Sequence, residues 1–268
     1  MKSIVVVCLL SISLLSAAQP ITVDSNFHVY LLIGQSNMAG RGIVDSQSKI
    51  ATTQILILDS QNRWVAATDP VHYDKPASVG VGPAIDFAKE ISGNNKSVKI
   101  GLIPCALGGS PIKVWEPNAV YLKAFRPYDD AIERARIAET KGVLKGILWH
   151  QGESDNDSLR AAVYLEKLST LIRRLRAELK QPNLPFVAGE IGYFNKSNFI
   201  NPVINQLPEK VAFTAVVSAK GLTHKGDRLH FDTPSARELG KRYARKMKAL
   251  QELSKTASNQ TTETKPIV

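Results

Sequence analysis

The stretch Leu31-Leu32-Ile33-Gly34-Gln35-Ser36-Asn37-Met38-Ala39-Gly40 decides how the rest of the chain is read. An apolar run from about Phe27 to Ile33 alternates poorly, as a strand buried on both faces does. It stops at Gly34, and a serine follows two residues later among small and amide side chains. A strand that ends in a tight turn places its last residues at the carboxyl edge of a sheet, where α/β proteins bind their ligands. Ser36 is thus a candidate nucleophile with turn N–H groups beside it. Gly, Ser and Asn are also favoured in turns for conformational reasons alone, so the stretch needs support from elsewhere in the chain.

Working outward, strands and helices alternate. Ile55–Leu58 reads as a strand and Trp64-Val65 as its hairpin partner, within an irregular region from Gly40 to Pro83. A helix opens at Pro83 and runs to about Ile91, and strands are expected at Val98–Pro104, Gly146–His150, Pro185–Gly189 and Val211–Val217. Helical spacing covers Tyr121–Thr140, restarted by Pro127, then Ser158–Lys180, and finally about Ser235–Leu250. Parallel strands need crossover connections, and right-handed crossovers stack helices on both sheet faces. The expected fold is one three-layer α/β/α domain with a mostly parallel sheet, over residues 19–252.

At the N-terminus, Lys2 precedes an apolar run from Ile4 to Leu15 and then Ser16-Ala17-Ala18. This reads as a secretory signal peptide over residues 1–18, too short to span a bilayer, so a secreted or periplasmic protein is expected. Cys105 is then the one cysteine left, at the end of an apolar strand, and reads as a small buried residue. The net charge of +10 lies largely in Arg173-Arg174, Arg176 and 241–248, inside helical patterns, and reads as solvated helix faces rather than a nucleic-acid site. Residues 253–268 are polar and threonine-rich, and read as a disordered tail.

A serine hydroxyl needs a base. Of the five histidines, His230 differs in lying on the loop just before the last helix, with a carboxylate, Asp227, three residues upstream. Asp227 can fold back onto Nδ1 and orient Nε2, although the same segment also suits a plain helix-entry loop. Acyl transfer further needs donors for an oxyanion. The N–H of Ser36, the N–H of Gly109 in Leu107-Gly108-Gly109-Ser110, and the side chain of Gln151 in Trp149-His150-Gln151-Gly152-Glu153-Ser154-Asp155 are available at three strand ends.

These blocks, with Asp227-Arg228-Leu229-His230-Phe231, resemble SGNH-hydrolase relatives of the sialate O-acetylesterase type and family 6 carbohydrate esterases, which include acetylxylan esterases. The resemblance runs from about Phe27 to Leu250. It implies a flavodoxin-like α/β/α fold and a Ser-His-acid hydrolase of acetyl esters on oligo- or polysaccharides, with no metal or cofactor. It also implies Ser36 as nucleophile, His230 as base, and Gly109 with Gln151 as oxyanion donors. Asp227 is the first choice for the acid and Glu153 the second. Arg41 and Trp115 are candidate substrate contacts, Trp115 as a stacking face for a sugar ring. His150 reads as structural. The rival readings are an SGNH lipase or thioesterase, a non-catalytic carbohydrate-binding protein on the same fold, and a polyanion-binding surface protein.

Overall fold

The computed structural model describes residues 22–194 and 197–263. The expected signal peptide lies outside them. Seven strands form one sheet in the order β3-β2-β4-β1-β5-β6-β7. They are β1 Phe27–Gly34, β2 Thr52–Leu58, β3 Trp64–Ala67, β4 Lys99–Pro104, β5 Val143–His150, β6 Phe186–Gly189 and β7 Thr214–Val217. Every pairing is parallel except the edge hairpin β2–β3. The helices are α1 Ser36–Ala39, α2 Ala84–Ser92, α3 Pro127–Glu139, α4 Ser158–Glu178, α5 Ile200–Ile204, α6 Leu207–Lys210 and α7 Thr233–Glu263.

β1 occupies the middle of the sheet because almost every side chain on it is apolar. Val29, Leu31 and Ile33 join the core shared with α3 and α4, whereas Tyr30 and Leu32 join the core shared with α2 and α7. All five are at most 1 % exposed, and each such side chain contributes about 1.5–3 kcal/mol through burial. β4 flanks β1 on one side and β5 on the other, with Gly34 in register with His150. The connections after β1 therefore diverge to opposite sides, and the crevice at the carboxyl ends of β1, β4 and β5 is where such a sheet opens.

Three elements depart from expectation. Tyr121–Phe125 is no helix but a tight loop closed by a Tyr121–Phe125 bridge, with Leu122, Lys123 and Ala124 all at positive φ, and α3 begins at Pro127. The strand expected from Val211 joins the sheet only at Thr214, three residues later, and α5 and α6 occupy the stretch before it. The last helix does not stop near Leu250: α7 continues to Glu263, through much of the polar segment expected to be disordered. The segment continues a helix already formed over the residues before it, and extending a formed helix costs far less than starting one, so a polar, threonine-rich sequence can propagate it. Cys105 is buried and unpaired as expected, with its thiol pushed up by burial. Among the described residues no helix is long and apolar enough to cross a membrane.

Candidate functional site

The turn after β1 is held by backbone. Gly34 sits at φ +126°, and a Cβ there would lie 2.1 Å from the carbonyl oxygen of His150. No other residue permits that approach. The next amide, Gln35 N–H, donates to the same His150 carbonyl at 2.8 Å. The chain then turns directly into α1, and Ser36 is its first residue. The Ser36 N–H, being in a first helical turn, has no intrahelical acceptor and bonds none elsewhere among the described residues.

His230 arrives from the loop between β7 and α7. The Ser36 hydroxyl donates to its Nε2 across 3.1 Å, and its Nδ1–H donates to Asp227 Oδ2 across 2.7 Å. Asp227 Oδ1 meanwhile accepts the backbone N–H of Leu229 at 3.0 Å and of His230 at 2.8 Å. Burial acts to raise the Asp227 carboxyl, but the bonds from His230 and Leu229 outweigh it and hold the group at about 2. Burial pushes the His230 imidazole below its ordinary value, against the upward pull of Asp227. A neutral imidazole aimed at a serine hydroxyl, with an ionised carboxylate behind it, is an arrangement that can take the hydroxyl proton as a new bond forms.

Asn37, not among the residues expected at the site, ties this loop to the serine turn. Its side-chain nitrogen donates to the Leu229 carbonyl at 3.1 Å, and its oxygen accepts the Phe231 N–H at 3.1 Å. It thus grips the two backbone groups on either side of His230. The same nitrogen also donates to Glu153 Oε1. Glu153, the second choice for the acid, is accordingly not placed on the histidine: its side chain is 3 % exposed, bonds Asn37, and lies 3.7 Å from His150 Nε2. Burial raises its carboxyl, with the Asn37 bond opposing. His150 is fully buried. The Tyr243 hydroxyl donates to the Trp149 carbonyl at 2.7 Å, so His150 Nδ1–H donates to Tyr243 at 3.0 Å. Burial lowers the imidazole to about 3. Its place is structural, as expected.

The expected oxyanion donors divide. Gly109 lies at φ +80° on the wall of the cavity around Ser36, and its N–H bonds no acceptor among the described residues. Gln151 is a correction. It is wholly buried, and its amide nitrogen faces Asp155 Oδ2 at 2.6 Å, Gln35 Oε1 at 3.1 Å and the Ser110 carbonyl at 3.2 Å, while the Tyr164 hydroxyl lies 2.8 Å from its Oε1. Those partners leave it no N–H for the cavity. What Gln151 does is hold Gln35, whose Oε1 also accepts the Ser154 N–H at 3.3 Å. Gln35 lines the cavity, and with its oxygen so fixed its amide nitrogen is the end left without a partner among the described residues. Glutamine before serine was legible as turn chemistry but not as a donor, because its orientation depends on residues over 100 positions away.

Arg41 lines the cavity too, but as a fastening. It is 7 % exposed, donates to the Gly40 carbonyl at 2.7 Å and pairs with Asp74 at 2.9 Å. Asp74 in turn accepts the Gly108 N–H at 2.7 Å, which pins the glycine turn. Trp115 is the second correction. At 1 % exposure it packs edge-on to Trp149 with ring centroids 5.3 Å apart, and its Nε1–H donates to Ser110 Oγ at 3.1 Å. It is core, and it is absent from the wall of the cavity around Ser36. The cavity itself has a volume of about 460 Å³ and is open to solvent. Among the described residues no group of three or more His, Cys, Asp or Glu is placed to hold a metal ion.

A family model described as carbohydrate esterase, sialic acid-specific acetylesterase, matches residues 26–249. The chain belongs to this carbohydrate esterase family. It is 34 % identical over 233 residues to a probable carbohydrate esterase of Arabidopsis thaliana, covering 79 % of this chain and 86 % of that one. An Arabidopsis thaliana crystal structure superposes with a TM-score of 0.75 at 32 % identity, over 84 % of this chain and 99 % of that one. Two more distant structures share the fold. NanS has a TM-score of 0.64 at 17 % identity, over 88 % of this chain and 99 % of its own. A carbohydrate acetylesterase from Xanthomonas citri has a TM-score of 0.65 at 21 % identity, over 84 % of this chain and 56 % of its own. The family member described here is a carbohydrate O-acetylesterase by that membership.

Proposed function

We propose that the protein removes O-acetyl groups from a sugar through an acyl-enzyme intermediate, outside the cytoplasm. The observation that carries this reading is the line from Ser36 Oγ through His230 to Asp227, at 3.1 and 2.7 Å. Ser36 Oγ attacks the acetyl carbonyl carbon while its proton passes to His230 Nε2, and the carbonyl electron pair moves onto oxygen. That oxyanion rests against the N–H groups of Ser36 and Gly109 and the side-chain amide of Gln35. Collapse breaks the bond to the sugar oxygen, which takes the proton from His230. Water then adds to the acetyl carbon with His230 as base, and acetate leaves as Ser36 regains its proton.

Asp227 keeps the imidazole in the tautomer whose Nε2 is free to accept, and stabilises the imidazolium. Glu153 and Asn37 are positioning residues. The apolar leader of residues 1–18 supports export. Ser36→Ala should fold as the parent does and lose hydrolysis of p-nitrophenyl acetate by about 10³-fold or more. Retained turnover would remove the nucleophile assignment.

A further inference from the structure

A second cavity adjoins the first. The catalytic cavity and a neighbouring one of about 520 Å³ share Gly109 and Ser154 as a common wall. The second in turn shares Ile112 and Lys167 with a smaller space of about 170 Å³ that reaches Arg174. The three lie side by side from Ser36 along α4, each sharing two lining residues with the next.

The middle section has a distinct chemistry. Pro111, Ile112 and Val163 give it an apolar side, with Val163 48 % exposed one turn after the exposed Leu159 on α4. Lys113, Arg160 and Lys167 give it a cationic side. Arg160 is held by Asp157 at 2.9 Å, whereas Lys113 and Lys167 pair with no carboxylate among the described residues. The acid in the lining, Asp155, is 3 % exposed and its Oδ2 is engaged by Gln151 and by the Ile112 N–H at 2.8 Å. In the outer section Glu166 pairs with Arg173 at 3.1 Å. Glu116 also lines the outer section, so the surplus of positive charge lies in the middle one, where an apolar patch for a ring face beside the Lys113 and Lys167 ammonium groups fits a sugar that carries a carboxylate.

Resting on the esterase reading above, we propose that this cavity is a subsite for a carboxylate-bearing sugar next to the acetylated one. The preferred substrate is then an acetylated acidic oligosaccharide, its charge on a neighbouring residue and not on the ring that bears the acetyl group. Lys113 and Lys167 are specificity residues. They touch the charge and take no part in the chemistry.

Two measurements test this. The first compares kcat/KM on acetylated xylo-oligosaccharides with and without a glucuronate branch, on O-acetylated sialic acid, whose carboxylate is on the acetylated sugar itself, and on p-nitrophenyl acetate. The wild type should favour the branched substrate by about tenfold, through KM, as two exposed ion pairs can supply, and salt should shrink the preference. Lys113→Ala/Lys167→Ala should abolish it and leave p-nitrophenyl acetate turnover unchanged. Equal kcat/KM on branched and unbranched substrates, a stronger preference for the acetylated sialic acid, or a preference that survives in the double variant overturns the proposal. The second measures calorimetric binding of the deacetylated branched oligosaccharide to the wild type and to the double variant. It needs no turnover, so a failed esterase reading and a failed subsite give different results: absence of binding, or equal binding to both proteins, overturns the subsite alone.

Discussion

Asp227→Asn is the most discriminating single change at this site, because the structure dictates how the new amide must sit. In the parent, Oδ1 accepts two backbone N–H groups, those of Leu229 and His230, while Oδ2 accepts the ring Nδ1–H. An asparagine has one acceptor and one donor end. Turning its nitrogen toward the two backbone donors would leave both N–H groups facing a donor, at a cost of about 1–3 kcal/mol each. The oxygen therefore stays at the backbone side and the NH₂ faces Nδ1. Nδ1 must then accept, which places the ring proton on Nε2, pointing at Ser36 Oγ. In this tautomer the imidazole cannot take the serine proton. The same substitution in a serine protease triad costs about 10⁴ in kcat, and the carboxylate here, 34 % exposed, puts the expected loss at about 10³. Asp227→Ala leaves the tautomer free to exchange and should lose less, about 10²-fold. Glu153→Gln, by contrast, can still accept from Asn37 and should stay within about threefold. The assay is kcat and KM for p-nitrophenyl acetate with all three variants. An Asn variant as active as the Ala variant would refute the tautomer argument, and a Glu153→Gln loss matching that of Asp227→Ala would refute the assignment of the acid.

Asn37→Ala strips partners from the Leu229 carbonyl, the Phe231 N–H and Glu153, so urea denaturation should show a loss of about 3 kcal/mol, and kcat should fall about 10²-fold with KM little changed as His230 drifts; a stable variant with parental kcat would show that the bridge is idle. The active form carries neutral His230, whose value burial lowers, so the acid limb of kcat/KM should have its midpoint below pH 6.5 and move lower still in Asp227→Ala, where the upward pull is gone. A midpoint at or above 6.5 contradicts the burial. His150 and His72 are buried with values of about 3 and about 4, so the folded state binds fewer protons than the unfolded chain. Their contribution to stability is present above pH 6.5 and lost as pH falls toward those values, by up to about 1.4 kcal/mol per pH unit for each. Glu153 and Asp69, the latter raised by burial to about 7, work in the opposite direction and offset part of this loss. The urea midpoint should fall between pH 7 and pH 5, and a flat profile would sink this account.

Strand ends and the residues placed on them were readable from the chain. β1, β4 and β5 announce themselves as apolar runs that stop at Gly or amide residues, and His230 stands out through Asp227 three residues before it. These are local signals. What could not be read was the direction of a side chain set by distant partners. Gln151 looks like a donor until Asp155, Ser110 and Gln35 are brought around it, the last from 116 positions away. Trp115 has the composition of a binding-site aromatic, and only the approach of Trp149 across the sheet makes it core. Asn37 went unnoticed because its partners, Leu229 and Phe231, lie 192 and 194 residues downstream.

The bridge at Asn37 also makes the Phe231 amide a gauge. Its hydrogen is held by a side chain adjacent to the nucleophile and belongs to a residue adjacent to the base. It can exchange with solvent only when the two halves of the site separate. The protection factor of this single amide therefore measures the fraction of time the enzyme spends assembled, with no substrate present, and comparing it with kcat across variants would separate damage to chemistry from damage to assembly.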